Sequence, residues 1–145
     1  MISESTAPNL FTLVVPTRWN DNDMYGHLNN TVYYAAMDTT INTWMIRVAG
    51  LDPLNADYSG YCVASSCEFK ASAAFPDEIA VELAVSRIGT SSVTWAPRIL
   101  KAQDSTLLAD GTFTTVFVDR QSRRPTPIPT AIRHAIEAAF AVPTP

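Results

Sequence analysis

The sequence is short of charge, cysteine, histidine and glycine. Only 17% of its 145 residues are Asp, Glu, Lys or Arg, against about 25% in an ordinary globular chain. So little charge leads us to expect surface hidden in a homo-oligomer, a dimer or a tetramer. The net charge is −4. That speaks against a general nucleic-acid binder, which neutralises phosphates with clustered Lys and Arg. Two cysteines, two histidines and no CxxC leave no ligand set for zinc. On one strand, Cys62 and Cys67 would point to opposite faces, roughly 16 Å apart. A disulfide needs α-carbons within about 7 Å, so we expect two reduced thiols of a cytoplasmic protein. No apolar run approaches the ~20 residues of a membrane span. Residues 1–8, MISESTAP, lack the basic start and apolar stretch of a signal peptide. No GxSxG elbow is present and no Ser-His-Asp triad is legible.

What is there is a core. Hydrophobic residues make up 47% of the chain, and a chain of this mass buries about 68% of its unfolded surface. That is one domain, residues 1–145, with no repeat and no linker. Five of ten prolines follow residue 124, marking Pro125 to Pro129 and the final residues as extended.

Leu10 to Val15 alternates as a strand. Trp19 to Asn30 is a polar loop, WNDNDMYGHLNN. From Asn30 to Ala49 a helix is expected, with Tyr33, Met37, Ile41, Trp44 and Val48 in one apolar stripe, widened by Ala36 and Met45. Asn29 or Asn30 suits its N-cap and Gly50 its stop. Four strands then follow. Tyr61 to Lys70 is the first. Ile79 to Val85 turns at Gly89 and Thr90 into Ser91 to Ala102, which Pro97 interrupts. Gln103 to Ser105 is the next turn. Leu107 to Asp119 is the last strand, with a bulge expected at Asp110 and Gly111. Thr130 to Phe140 reads as a short helix. The class is α+β: one strand, a long early helix, four strands of which the last three can be hairpin-linked and antiparallel, and a short C-terminal helix.

The unusual residues gather just ahead of the long helix. Arg18, Trp19, Asp21, Asp23 and His27 fall within ten positions. A helix N-terminus offers unpaired N–H groups and partial positive charge, which can hold a developing oxyanion. A nearby carboxylate can act as base or nucleophile. Asp and Asn in such a loop also serve plainly as caps and turn formers.

The run Arg18-Trp19-Asn20-Asp21-Asn22-Asp23-Met24-Tyr25-Gly26-His27-Leu28-Asn29-Asn30, followed by Tyr33 and Tyr34, resembles a known signature. It is similar to W-x-D-x-D-x-x-G-H-x-N-N-x-x-Y of acyl-CoA thioesterases of the 4-hydroxybenzoyl-CoA thioesterase type, which have the hotdog fold. Cys67-Glu68-Phe69 with Phe75-Pro76-Asp77, and Val118-Asp119-Arg120 with Arg123-Arg124-Pro125, are weaker matches. The resemblance implies a curved five-stranded sheet wrapped around the long helix, and two chains pairing their sheets with active sites near that interface. It implies an acyl- or aroyl-CoA thioester hydrolase, with coenzyme A entering as part of the substrate and no metal or organic cofactor.

The residue roles follow from the same resemblance. Asp23 matches the catalytic carboxylate, as nucleophile or general base. The backbone amide of Asn30 matches the donor to the thioester oxygen, and His27 a position near the site. Tyr33, Arg87 and Asn29 are the candidate substrate-binding residues, Arg87 because relatives hold the nucleotide phosphates with a basic hairpin. Arg123 and Arg124 read as a solvated pair. Glu68 and Lys70 place charge on a strand where the family would suit an apolar side chain. The alternative reading is a non-catalytic acyl-CoA-binding or sensing module on the same fold.

Overall fold

The computed structural model describes residues 3–7 and 10–142. Met1, Ile2, Pro8 and the final prolines, all named above, lie outside the described residues. The elements in chain order are β1 (Ser3–Ala7), β2 (Leu10–Pro16), α1 (Asn30–Arg47), β3 (Tyr58–Phe69), β4 (Glu78–Leu83) and β5 (Val85–Ile88). They continue with β6 (Ser92–Trp95), β7 (Arg98–Lys101), β8 (Leu107–Asp119) and α2 (Thr130–Ala139). The strands form one antiparallel sheet, and α1 packs against β2, β4 and β7.

The expected count of five strands needs correcting, and the reason is local. β4 and β5 are one run broken at Ala84; β6 and β7 are one run broken at Ala96 and Pro97. The two breaks face each other, joined by a bond from the Ala96 N–H to the Ala84 carbonyl at 2.8 Å. Proline has no N–H to give the ladder, so the run parts there. Across the sheet the order is β1, β2, the β4–β5 run, the β6–β7 run, β8 and β3. β1 is an addition that the sequence reading did not expect. Its residues show no apolar alternation, and it exists by pairing with β2.

The helix stripe is mostly as expected. Tyr33, Ala36, Met37, Ile41, Trp44 and Met45 are buried. Val48 is not: it caps the end of α1 and is half exposed. The helix ends at Arg47 rather than Ala49, and Gly50 follows at a φ of +77°. Trp44 sits in an aromatic cluster, 5.7 Å from Trp95 and 4.9 Å from Phe140. Ile132 and Ile136 of α2 complete that core.

The bulge in β8 lies elsewhere than expected. Asp110 and Gly111 pair in register with Glu68 and Cys67. The shift falls opposite Ile99 and Leu100, around Leu107 to Ala109, where Leu108 and Ala109 are both fully buried. Gly111 has a different job. A Cβ there would stand 2.5 Å from the Ser66 carbonyl and 3.2 Å from Met37 Sδ. Glycine lets β3 and α1 approach β8 at that point. β3 is the outer strand, with Tyr61 and Val63 exposed. Glu68 on it pairs with Lys70 just past its end, the Lys70 Nζ lying 2.9 Å from the carboxylate. Cys62 is exposed, Cys67 is partly buried, and both are free.

Candidate active site

The loop before α1 is tied down on three sides. Its base is Asp21, buried, whose carboxylate accepts the Arg18 N–H at 2.8 Å and Nε at 3.0 Å. An ion pair with the same guanidinium, at 2.9 Å, adds to this. Asp21 is thus a loop-shaping acceptor, as Asp commonly is before a helix. Its carbonyl also accepts the Asn29 N–H at 3.0 Å.

On the second side, Leu28 is buried and its N–H donates to the Ala73 carbonyl at 2.8 Å. The Asn22 side chain accepts the Phe75 N–H at 3.0 Å, and Trp19 meets the Phe75 ring edge-on at 5.9 Å. The third tie is internal. Asn22 and Leu28 form an isolated bridge, the Asp23 N–H donates to the His27 carbonyl, and the Gly26 N–H donates to the Asp23 carbonyl, both at 3.0 Å. Gly26 takes a φ of +83° to close this turn, a backbone that glycine adopts freely.

This frame presents Asp23. Its Oδ1 accepts the Tyr25 N–H at 2.9 Å, and its Oδ2 accepts Asn29 Nδ2 at 3.0 Å. Asn29 is the N-cap of α1: its Oδ1 accepts the Thr31 N–H at 3.0 Å and the Thr31 hydroxyl at 2.7 Å. The N–H of Asn30 meets no acceptor among the described residues. An unpaired N–H at the positive end of an 18-residue helix can donate to a developing anion. The His27 imidazole is exposed and makes no hydrogen bond among the described residues.

The structure therefore brings Asp23, His27, Asn29 and Asn30 into one loop. Tyr33 lies one turn along the helix but is buried, its ring 5.3 Å from Phe69. Burial pushes its phenol above the usual value of 10.0, with Cys67 and Asp77 adding to the rise and a backbone bond at Ala73 opposing it. Burial likewise raises the Cys67 thiol, helped by Asp110. Trp44 is buried among aromatics and is not free to line an open pocket.

Arg87 is not brought to this loop within the chain. β2 enters the loop at Pro16, opposite Glu78, whereas Leu83 lies opposite Phe11 at the other end. Arg87 is four residues beyond Leu83. Arg120 is spent on the carbonyls of Leu54 and Pro53.

Two participants escaped the sequence reading: the Tyr25 backbone amide and Thr31. The signal for Thr31 was present, because a Thr two places after an Asn cap gives the cap oxygen both a backbone and a hydroxyl donor. An open groove of about 290 Å³ also lies between β2 and the first turns of α1, lined by Val15, Val32, Ala35, Ala36 and Ile79, with Arg18 on its rim.

A family model described as the thioesterase-like superfamily matches residues 17–136. The PA5185 protein of Pseudomonas aeruginosa is 42% identical, covering 90% of this chain and 91% of that one, with a TM-score of 0.85. The PA2801 protein of the same organism, described as a proposed thioesterase, is 32% identical over 86% of this chain and 96% of its own, with a TM-score of 0.81. A 1,4-dihydroxy-2-naphthoyl-CoA thioesterase from Synechocystis, at 21% identity, covers 88% of this chain and 95% of its own with a TM-score of 0.80; this likeness speaks for the fold alone. No curated protein matches the chain.

Proposed function

Because the chain belongs to the thioesterase-like superfamily, we propose that it hydrolyses acyl or aroyl thioesters of coenzyme A with Asp23 as the reacting carboxylate. The observation that carries this is the held Asp23 carboxylate beside a helix start whose Asn30 N–H is unpaired among the described residues.

Asp23 serves as general base. Each of its oxygens accepts one hydrogen bond, which fixes the carboxylate and leaves lone pairs free on both oxygens. A base needs only one free lone pair. Asp23 takes a proton from water as the water oxygen bonds to the thioester carbon. The carbonyl oxygen becomes an oxyanion, stabilised by the Asn30 N–H. The carbon–sulfur bond then breaks, and the proton on Asp23 passes to the departing thiolate. The products are a carboxylic acid and free coenzyme A, and Asp23 is again ionised. His27 stands exposed on the same loop and contacts the substrate. The groove beside Val32 and Ala35 takes the acyl group, because Val15, Val32, Ala35, Ala36 and Ile79 give it an apolar side, opposite the polar lining of Thr17, Arg18, Asp21 and Thr39, and it adjoins the first turns of α1.

The test is free-thiol release from a panel of acyl- and aroyl-CoAs with the wild type and Asp23→Asn. Turnover in the wild type, reduced roughly 10²- to 10⁴-fold in a folded variant, is expected. Unchanged turnover in the variant sinks the role of Asp23. No release from any thioester, with binding retained, supports a binding module instead.

A further inference from the structure

We propose that Asn29 is the positioning residue for Asp23, with its amide turned to that task by Thr31. This rests on the thioesterase reading above and replaces substrate contact as the role of Asn29.

A backbone N–H can only donate. The Thr31 N–H at 3.0 Å therefore requires the oxygen of the Asn29 amide, not its nitrogen. The Thr31 hydroxyl donates to the same oxygen at 2.7 Å. With the oxygen committed, the NH₂ group must point the other way, and there it finds Asp23 Oδ2 at 3.0 Å. The cap of the helix thereby dictates that the carboxylate meets a donor.

Capping alone does not need that NH₂. Ser, Thr and Asp cap a helix about as well as Asn, using only an acceptor. The donor is surplus to the helix and is used wholly on Asp23. Among the described residues no other donor meets Asp23 Oδ2. Its neighbours Met24 and Tyr25 are 103% and 88% exposed, so packing does not hold the loop tip. The carboxylate keeps its place relative to the Asn30 N–H through two hydrogen bonds, one from the Tyr25 backbone and one from Asn29. A reacting group misplaced by about 1 Å can lose 10²-fold in rate.

The substitutions that separate capping from positioning are Asn29→Ser and Asn29→Asp. Both keep a cap acceptor and remove the amide NH₂; Asn29→Asp leaves no donor at all, and Asn29→Ser leaves one hydroxyl on a shorter stem. We expect both to fold with little change in Tm. The kcat should fall up to about 100-fold while KM stays near wild type. A residue that bound substrate alone would raise KM and leave kcat. A second readout does not depend on turnover. Among the described residues the Tyr25 N–H finds its acceptor in Asp23 alone, so its hydrogen exchange should quicken in Asn29→Ser. Wild-type kcat in folded Asn29→Ser, or unchanged Tyr25 exchange, overturns the proposal. If the wild type hydrolyses no thioester, the function fails while the exchange result still decides the positioning.

Discussion

The indole N–H of Trp95 donates to the hydroxyl of Thr115 at 3.1 Å, and both residues are buried at the centre of the sheet. Trp95 also packs edge-on against Trp44 of the helix and Phe140. One hydrogen bond thus orients the ring that joins sheet, long helix and C-terminal segment.

Thr115→Val keeps the shape and removes the acceptor. The Trp95 N–H is then left unpaired in an apolar interior, at a cost of about 1–3 kcal/mol. Urea unfolding should show that loss with an unchanged m-value. A variant as stable as the wild type would mean that the indole finds another partner.

Tyr33 makes the fold sensitive to alkali. Its folded phenol binds a proton more tightly than an unfolded one, mainly through burial. The stability this contributes is fully present below the unfolded value near 10 and is lost as pH rises through the higher folded value. Tyr33→Phe lacks that group. Its urea midpoint should therefore decline less steeply than the wild type's as pH is taken above 10; parallel declines would refute the assignment.

The general-base role makes an isotopic prediction. In a single turnover in water carrying heavy oxygen, the acid product should hold one heavy oxygen and Asp23 none. Attack by Asp23 itself, with later hydrolysis at its own carbonyl, would place the label in the enzyme. Mass spectrometry of the peptide bearing Asp23 distinguishes the two.

Ala35 is exposed and lines the groove beside the first turns of α1. Ala35→Phe fills that space without disturbing the core. The expected result is a fall in kcat/KM of about tenfold or more for longer acyl groups, with the shortest acyl-CoA least affected. An equal profile across chain lengths would move the acyl site elsewhere.

What the sequence by itself determined is whatever rests on local chemistry. The three- and four-residue spacing from Tyr33 to Trp44 made a helix with one buried face. Asn29 capped it, and alternation in Ile79 to Val85 and Leu107 to Asp119 made strands. Pro97 broke the ladder because it has no N–H to give. The loop signature named Asp23, His27 and Asn30 as candidates, and it did so through a family resemblance rather than local chemistry. The tertiary structure alone decided what depends on partners distant in the chain. β1 has no pattern of its own and forms by pairing with β2. The bulge moved from Asp110 and Gly111 to Leu107–Ala109, because Gly111 had to stay in register for Met37 and Ser66 to pack against it. Val48 keeps helical backbone as the C-cap yet stands half exposed at the helix end. Arg87, legible only as a basic hairpin residue, lies at the far end of its strand from the loop. The direction of the Asn29 amide was likewise invisible in the sequence, since an amide has two ends and only the folded helix says which one Thr31 takes.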